Sequence, residues 1–416
     1  MNKLFNMFTR STSRHLAVLC LGLASSTQAV AAPPFLLVVY ASGGWDPSMV
    51  FDGKPGTSTV DSESGQSQAT GGGGITYTDH ADRPAVQTFF TTYGDRSAII
   101  NGLFVGGMDR FTAQKQLFTI VPTSKARPVD WATLYADSSG FAGDLPHVVF
   151  QAPFAPGEYL DKATHLSTAT IAEYQAAVPN SLDFGSSGED ALKALRGAAM
   201  VKIMNNVVEG SLDIDKLKAL ATSNANEAKL TAQLKTATTA VGDQGTSDTF
   251  AYQAKLALAL FAQGASIAAT VQAGATGAWA TTKNHTSVQS SAYQSLFADL
   301  TEIISYAQSR GISDRLTLVV MSDGGRAPRL NADAGKGPWP CTSMLLWGAG
   351  VNGGKVIGLT DGFLRGLPID PIFGGTGKPS SILLTPASVW GALYTKAGYS
   401  TTALLGDTAP LAQVIK

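Results

Sequence analysis

Two acids stand where apolar runs break off. Asp46 follows Phe35–Tyr40 by way of Ala41-Ser42-Gly43-Gly44-Trp45, and Asp323 follows Leu316–Met321 by way of Ser322. Arg326 comes just after, beyond Gly324-Gly325. An acid in a glycine-rich turn at the carboxyl end of a buried strand sits where open α/β sheets build their sites. Such a carboxylate can ligate a divalent ion, which lowers the pKa of a bound water to about 7. It can equally cap the turn that follows it. Arg326 can hold a phosphate, sulfate or carboxylate through its planar fork, or pair with a neighbouring acid. Asp46, Asp323 and Arg326 are therefore the candidate catalytic residues, with these alternatives open at each.

Other chemistries find less support. Beyond the N-terminal segment the histidines are His80, His147, His165 and His285, and no two are spaced as a chelating pair. Each alone is expected to be structural or exposed. Ser322 follows a strand but lacks the G-x-S-x-G elbow that presents a nucleophile. Gly71–Gly74 lacks the Lys-Ser/Thr of a phosphate loop and reads as linker. Cys341 is the one cysteine beyond the N-terminal segment, so no internal disulfide can form there, and a buried, inert thiol is expected.

Strands and helices must alternate to position these residues. Phe35–Tyr40 is a continuous apolar run suited to the centre of a parallel sheet. Thr57–Gly74 is rich in Gly, Ser and Thr, and is expected to be an exposed, mobile loop over 57–74. Arg83–Tyr93 has helical spacing with Pro84 in its first turn. Ser97–Ile100 reads as a short strand running into Asn101-Gly102, and Asp109–Phe118 as a helix capped by Asp109. His147–Gln151, Ser266–Gln272 and Met344–Trp347 read as further strands, and Tyr293–Arg310 as an amphipathic helix. From about Gly188 to Gln263 the chain reads as a mainly helical insert, most clearly at Ala251–Gln263. The pattern predicts an α/β fold, one layered domain over 32–416 with a mainly parallel central sheet flanked by helices.

Composition narrows the partners. Lys3, Arg10 and Arg14, the apolar Leu16–Leu23 and the small residues Ala29-Val30-Ala31 have the layout of a secretory signal peptide over 1–31. The apolar run is far shorter than the roughly 20 residues a membrane span needs, and no other segment is long and charge-free enough. An exported protein, periplasmic or extracellular, with no membrane span after cleavage is expected. Charged residues make up 15% of the 416-residue chain, against about 25% in a typical domain. The net charge of −1 and the lack of a basic run argue against nucleic acid and anionic membrane surfaces as partners.

These residues together resemble a secreted bacterial family, domain of unknown function 1501, in the alkaline phosphatase and sulfatase superfamily. Thr317–Gly358 carries most of the likeness. There the family has a strand, Ser-Glu-Phe-Gly-Arg-Thr-Pro, an Asn, an Asp-His pair and Gly-Gly-x-x-x-Gly. Ser322, Gly325, Arg326, Pro328, Asn331, Gly353, Gly354 and Gly358 match, and Asp323 stands for the Glu. Ala251–His285 is similar to a helix, a strand and Gly-Gly-Trp-Asp-Thr-His, with Gly277, Trp279 and Thr281 matching. Phe35–Asp46 resembles the family's first strand with its Gly-Gly-x-Asp end, and Thr385–Gly406 its closing helix.

The resemblance implies a three-layer, alkaline-phosphatase-like domain whose relatives usually hold two divalent ions with several Asp and His ligands. The departures fall on those ligands. Ala280 and Thr282 replace an acid and an imidazole, Gly337-Pro338 stands where the Asp-His pair would be, and Asp109-Arg110 stands where a Ser-His pair is expected. Asp46 is the one implied metal ligand that clearly survives. Ala, Thr, Gly and Pro bring neither carboxylate nor imidazole. The sequence thus points to a phosphatase- or sulfatase-like protein without the usual two-metal centre, in a binding or assembly role. Its partner would be a small anionic ligand, held near Arg326, or another secreted protein. The alternative is an active metal-dependent phosphate- or sulfate-ester hydrolase with replacement ligands from Asp46, Asp109, Asp323 and His285. Only there is a divalent metal expected as cofactor. A third reading, a structural protein, would fill the strand-end crevice with apolar side chains.

Overall fold

The structure, a computed structural model, describes residues 33–120, 127–166, 232–242, 249–405 and 408–416. The signal peptide expected over 1–31 lies outside these residues, as does most of the helical insert expected from about Gly188. Within that insert, residues 232–241 and Phe250–Ala262 are helical. Among the described residues no helix is long and apolar enough to cross a membrane.

Among the described residues, eight strands form the central sheet. In spatial order they are β14 (Lys355–Ile357), β4 (Ser97–Phe104), β13 (Cys341–Gly348), β10 (Leu316–Ser322), β1 (Phe35–Ala41), β9 (Ala268–Ala273), β7 (His147–Phe150) and β8 (Ala163–Leu166). Every neighbouring pair is parallel except those of β13, which runs antiparallel to both β10 and β4. The remaining strands make three small ribbons: β2 (Ser67–Thr70) with β3 (Thr76–Asp79), β5 (Thr119–Ile120) with β6 (Val129–Asp130), and β11 (Gly325–Arg326) with β12 (Pro338–Trp339).

Every residue of β1 and β10 is buried, because both faces of the sheet are covered and the apolar runs need no polar alternation. Successive side chains on a strand point to opposite faces. On β1, Phe35 stacks on Phe261 of helix α4 (Phe250–Ala262) at 5.1 Å, while Tyr40 meets Phe118 of α2 (Arg110–Phe118) edge-on at 4.8 Å. The α4 face also carries α1 (Pro84–Tyr93) and α5 (His285–Ser309), joined through Phe89 and Phe297. The α2 face carries α3 (Trp131–Ser138) and α6 (Pro386–Lys396), where Trp131 stacks on Trp390. Each aromatic taken from water there adds about 1.5–3 kcal/mol. The result is the expected α/β class, a mainly parallel sheet between two helical layers.

Several elements depart from the sequence pattern. Part of the stretch expected as a loop over 57–74 is strand: Ser67–Thr70 pairs antiparallel with Thr76–Asp79. The stretch is polar on both sides and carries no apolar alternation, and Gly71–Gly74 supplies its turn, with Gly73 and Gly74 at positive φ. β4 does not stop at Asn101-Gly102 but continues to Phe104. The Asn101 side chain is absorbed by Phe51 O and Ser343 Oγ. α5 begins at His285, well before Tyr293, because its first turns are mostly polar and hide the helical period.

Candidate functional site

β1 and β10 run parallel and in register, with Ala41 opposite Ser322. β9 lies on the other side of β1, with Ala273 opposite Ala41. Three loops therefore leave the sheet side by side: 42–46, 274–284 and 323–326. Gly43 and Gly44 adopt φ of +116° and +86°, a region that L side chains avoid. A Cβ on Gly43 would stand 2.7 Å from Ala280 N, so the first two loops pack backbone on backbone. Ser322 braces this corner. Its hydroxyl donates to Ala41 O (2.6 Å) and accepts from Trp45 N (3.1 Å).

Asp46 turns inward. Its Oδ1 accepts from Ser48 N (2.9 Å) and Ser48 Oγ (2.6 Å), capping the short turn Pro47–Met49. Its Oδ2 accepts from Lys336 Nζ (2.7 Å) and His285 Nε2 (2.8 Å). Nδ1 of His285 lies 2.7 Å from Thr281 Oγ1, so both imidazole nitrogens are engaged. Gln289 ties the neighbouring backbone, accepting from Asp46 N and donating to Trp279 O, while Tyr293 OH donates to Asp46 O. Asp46, His285 and Lys336 are all but sealed from solvent, with exposures of 0%, 2% and 1%. Burial by itself would raise the pKa of Asp46. The Lys336 ammonium and the His285 contact outweigh it and hold the carboxyl well below the usual range.

Asp323 borders an open crevice, although its own side chain is only 1% exposed. Its Oδ1 accepts from Gly43 N (2.8 Å) and its Oδ2 from Tyr40 OH (2.6 Å), with Arg110 Nε 3.3 Å from the same oxygen. Burial, and then the charge of Asp323, push the Tyr40 phenol well above its ordinary range. Arg110 Nη2 also donates to Ser42 Oγ (2.6 Å). Arg326 Nε donates to Gly44 O (2.7 Å), and its Nη1 lies 3.4 Å from Lys336 O. These groups border an open crevice of about 210 Å³ with Met108, Gly277, Pro338 and Trp339. Two guanidiniums and one carboxylate line it, and a guanidinium fork can hold an anion's oxygens. It is open and carries three charged side chains, Arg110, Asp323 and Arg326, among glycines and apolar groups, whereas a purely structural protein would fill it with apolar side chains.

The structure places the expected residues in two separate settings. Asp46 and Asp323 do not share one crevice. Asp46 caps a turn, while Asp323 instead ties β10 to the turn after β1. Arg326 is anchored on backbone carbonyls, not on an acid partner. Of the replacement ligands, His285 does reach Asp46, whereas Asp109 is the N-cap of α2, accepting from Thr112 N. Lys336 and Arg110 were not singled out by type or spacing. Each nevertheless flanks a departure from the family pattern, Lys336 directly before Gly337-Pro338 and Arg110 within Asp109-Arg110. His147 is structural, buried between Thr133 Oγ1 and Thr270 Oγ1. Cys341 is buried, and burial raises its thiol pKa.

Residues 150–367 match the model of a family described as "Protein of unknown function (DUF1501)". No curated protein matches. Among solved structures, the chain is similar to a lipoteichoic acid synthase, LtaP, from Listeria monocytogenes at 9% identity, covering 92% of this chain and 75% of that one with a TM-score of 0.42. It is also similar to Ps i-CgsB at 8% identity, covering 88% and 72% with a TM-score of 0.40. A third likeness is to a 2-O GAG sulfatase at 10% identity, covering 89% and 71% with a TM-score of 0.32.

Proposed function

This chain belongs to the DUF1501 family, and on that premise we propose an exported protein that carries a lysine in place of a metal centre and binds a small anion without hydrolysing it. The observation that carries this reading is Lys336 Nζ at 2.7 Å from Asp46 Oδ2, both atoms on buried side chains. A divalent ion bound to Asp46 would lie close to that ammonium. At 4 Å and an effective dielectric near 20, two unit charges repel by about 4 kcal/mol, and a divalent ion doubles this. His285 adds no free lone pair while its nitrogens face Asp46 and Thr281. Ala280, Thr282, Gly337 and Pro338 bring no ionisable donor. The residues present do not fit a two-ion centre.

The anion would sit in the crevice between Arg110 and Arg326, where fork-shaped donors suit phosphate, sulfate or carboxylate oxygens. Asp323 then orients Arg110 and takes no part in bond cleavage. The other reading, a metal-dependent ester hydrolase with atypical ligands, is favoured by one observation: Asp46 and His285, both possible ligands, are in contact at 2.8 Å. It requires Lys336 to leave.

The test is a hydrolysis assay on aryl phosphate and aryl sulfate together with metal analysis of wild type and Asp46→Asn. We expect no turnover and the same metal content in both. Turnover that vanishes in Asp46→Asn along with bound metal would establish the hydrolase instead. Calorimetric titration with inorganic phosphate and sulfate is expected to show binding that Arg110→Ala weakens.

A further inference from the structure

A second set of ligand-type side chains lies away from the strand ends, beside the β2–β3 ribbon and the start of α1. We propose that Glu63, His80 and Asp82 bind one divalent cation of the zinc or manganese kind. His80 Nδ1 stands 3.9 Å from Glu63 Oε1 and 3.7 Å from Asp82 Oδ2. One donor atom from each residue falls within 4.8 Å of the others. Ligands at about 2.0–2.2 Å from a shared zinc ion are at most about 4.4 Å apart. Both distances to His80 already meet that limit.

The surroundings of the set point the same way. His80 Nε2 lies 2.9 Å from Ser64 O. A carbonyl oxygen only accepts, so the proton is on Nε2 and Nδ1 keeps its lone pair. Proteins commonly fix metal-ligating imidazoles through just such a bond from the other nitrogen. Asp82 N donates to that lone pair at 3.1 Å, a single exposed bond that a metal would displace. Glu63 is fixed through its other oxygen by Arg83 Nη1 (2.6 Å), and the same guanidinium donates to Ser290 Oγ through Nη1 and to Met49 O through Nη2. The Glu63 and His80 side chains are only 7% and 10% exposed, while that of Asp82 is 71% exposed. Two donors are set in place and the third can swing to close the site. One imidazole with two carboxylates suits zinc or manganese, whereas calcium prefers six or more oxygens.

Calorimetric titration of the purified full chain with zinc chloride and manganese chloride tests the assignment. One equivalent should bind to wild type. Asp82→Asn, an exposed change that leaves the fold intact, should weaken binding by at least the roughly 10–100-fold that loss of an outer-shell partner costs. His80→Ala should abolish it, and Asp46→Asn should leave it unchanged. The proposal fails if wild type binds neither ion, or if Asp46→Asn removes the equivalent while Asp82→Asn keeps it. Anion binding at Arg110 is independent of either result.

Discussion

Asp46 and Asp323 leave neighbouring parallel strands by short glycine-containing turns, so their type and strand-end position are alike. Their surroundings differ. The Asp46 carboxylate is closed off by Lys336, His285 and Ser48, whereas Asp323 shares a crevice open to solvent with Arg110 and Arg326. An acid at a strand end therefore does not by itself define a metal site. What decides its chemistry is which cation the rest of the chain brings to it, and whether solvent can follow. At Asp46 the cation is a buried side chain, and on the proposed reading the group is structural. At Asp323 the cations outnumber the acid, and one of them, Arg110, reaches solvent and can meet a ligand.

The largest effect expected to probe this contrast is on stability. Lys336→Met keeps much of the aliphatic length but strands a buried carboxylate, which typically costs about 3–5 kcal/mol. Urea unfolding of the variant beside wild type measures it. A loss under about 1 kcal/mol would mean that the Asp46 pocket admits water or an ion, and the contrast with Asp323 would collapse.

Acid titration probes the same group without a cavity. The folded pKa of Asp46 is depressed below its unfolded value of about 3.9. Its contribution to stability is therefore complete above the unfolded pKa and is lost as pH falls toward the folded one. Wild type should lose stability between about pH 5 and pH 2 more steeply than Asp46→Asn. Parallel curves for the two proteins would show that the Lys336 and His285 contacts do not act on the folding equilibrium.

The two acids also mark how far the sequence could be read. Phe35–Tyr40 and Leu316–Met321 announce central strands because burial on both faces leaves an unbroken apolar run, and the strand-end position of Asp46, Asp323 and Arg326 follows from that. Lys336 did not stand out. It lies 290 residues from Asp46, and a lone lysine carries no period or spacing. The available signal was its place beside Gly337-Pro338, where a charge persists although the expected ligands are gone. Arg110 is hidden in the same way beside Asp109, whose type and position specify only a helix cap. The reversed direction of β13 was not legible, since an apolar run reads the same both ways. The β2 strand was missed because it is polar on both faces.

In the open crevice, effects should shift from stability to binding. Arg110 is 41% exposed, and an ion pair of that kind contributes only about 0–1 kcal/mol to folding. Arg110→Ala should thus unfold almost as wild type does. A charge-assisted hydrogen bond to a ligand contributes about 1.5–3 kcal/mol, so affinity for inorganic phosphate or sulfate should fall by roughly 10–100-fold. The reverse outcome, a large stability loss with unchanged anion affinity, would assign Arg110 to the same structural class as Lys336.

The smallest effect, and the most discriminating, concerns Asp323 itself. Its carboxylate is the negative charge that the crevice sets against Arg110 and Arg326. Asp323→Asn keeps an acceptor for Gly43 N and removes that charge. If Asp323 only positions Arg110, the variant should bind phosphate more tightly by severalfold, because one repulsive charge is gone and Ser42 Oγ still holds the guanidinium. Weaker phosphate binding would mean that Arg110 needs the carboxylate for its placement. Affinities measured at two salt concentrations separate the outcomes, since the gain from removing a charge that borders a solvent-open crevice shrinks as ionic strength rises, whereas lost placement does not recover.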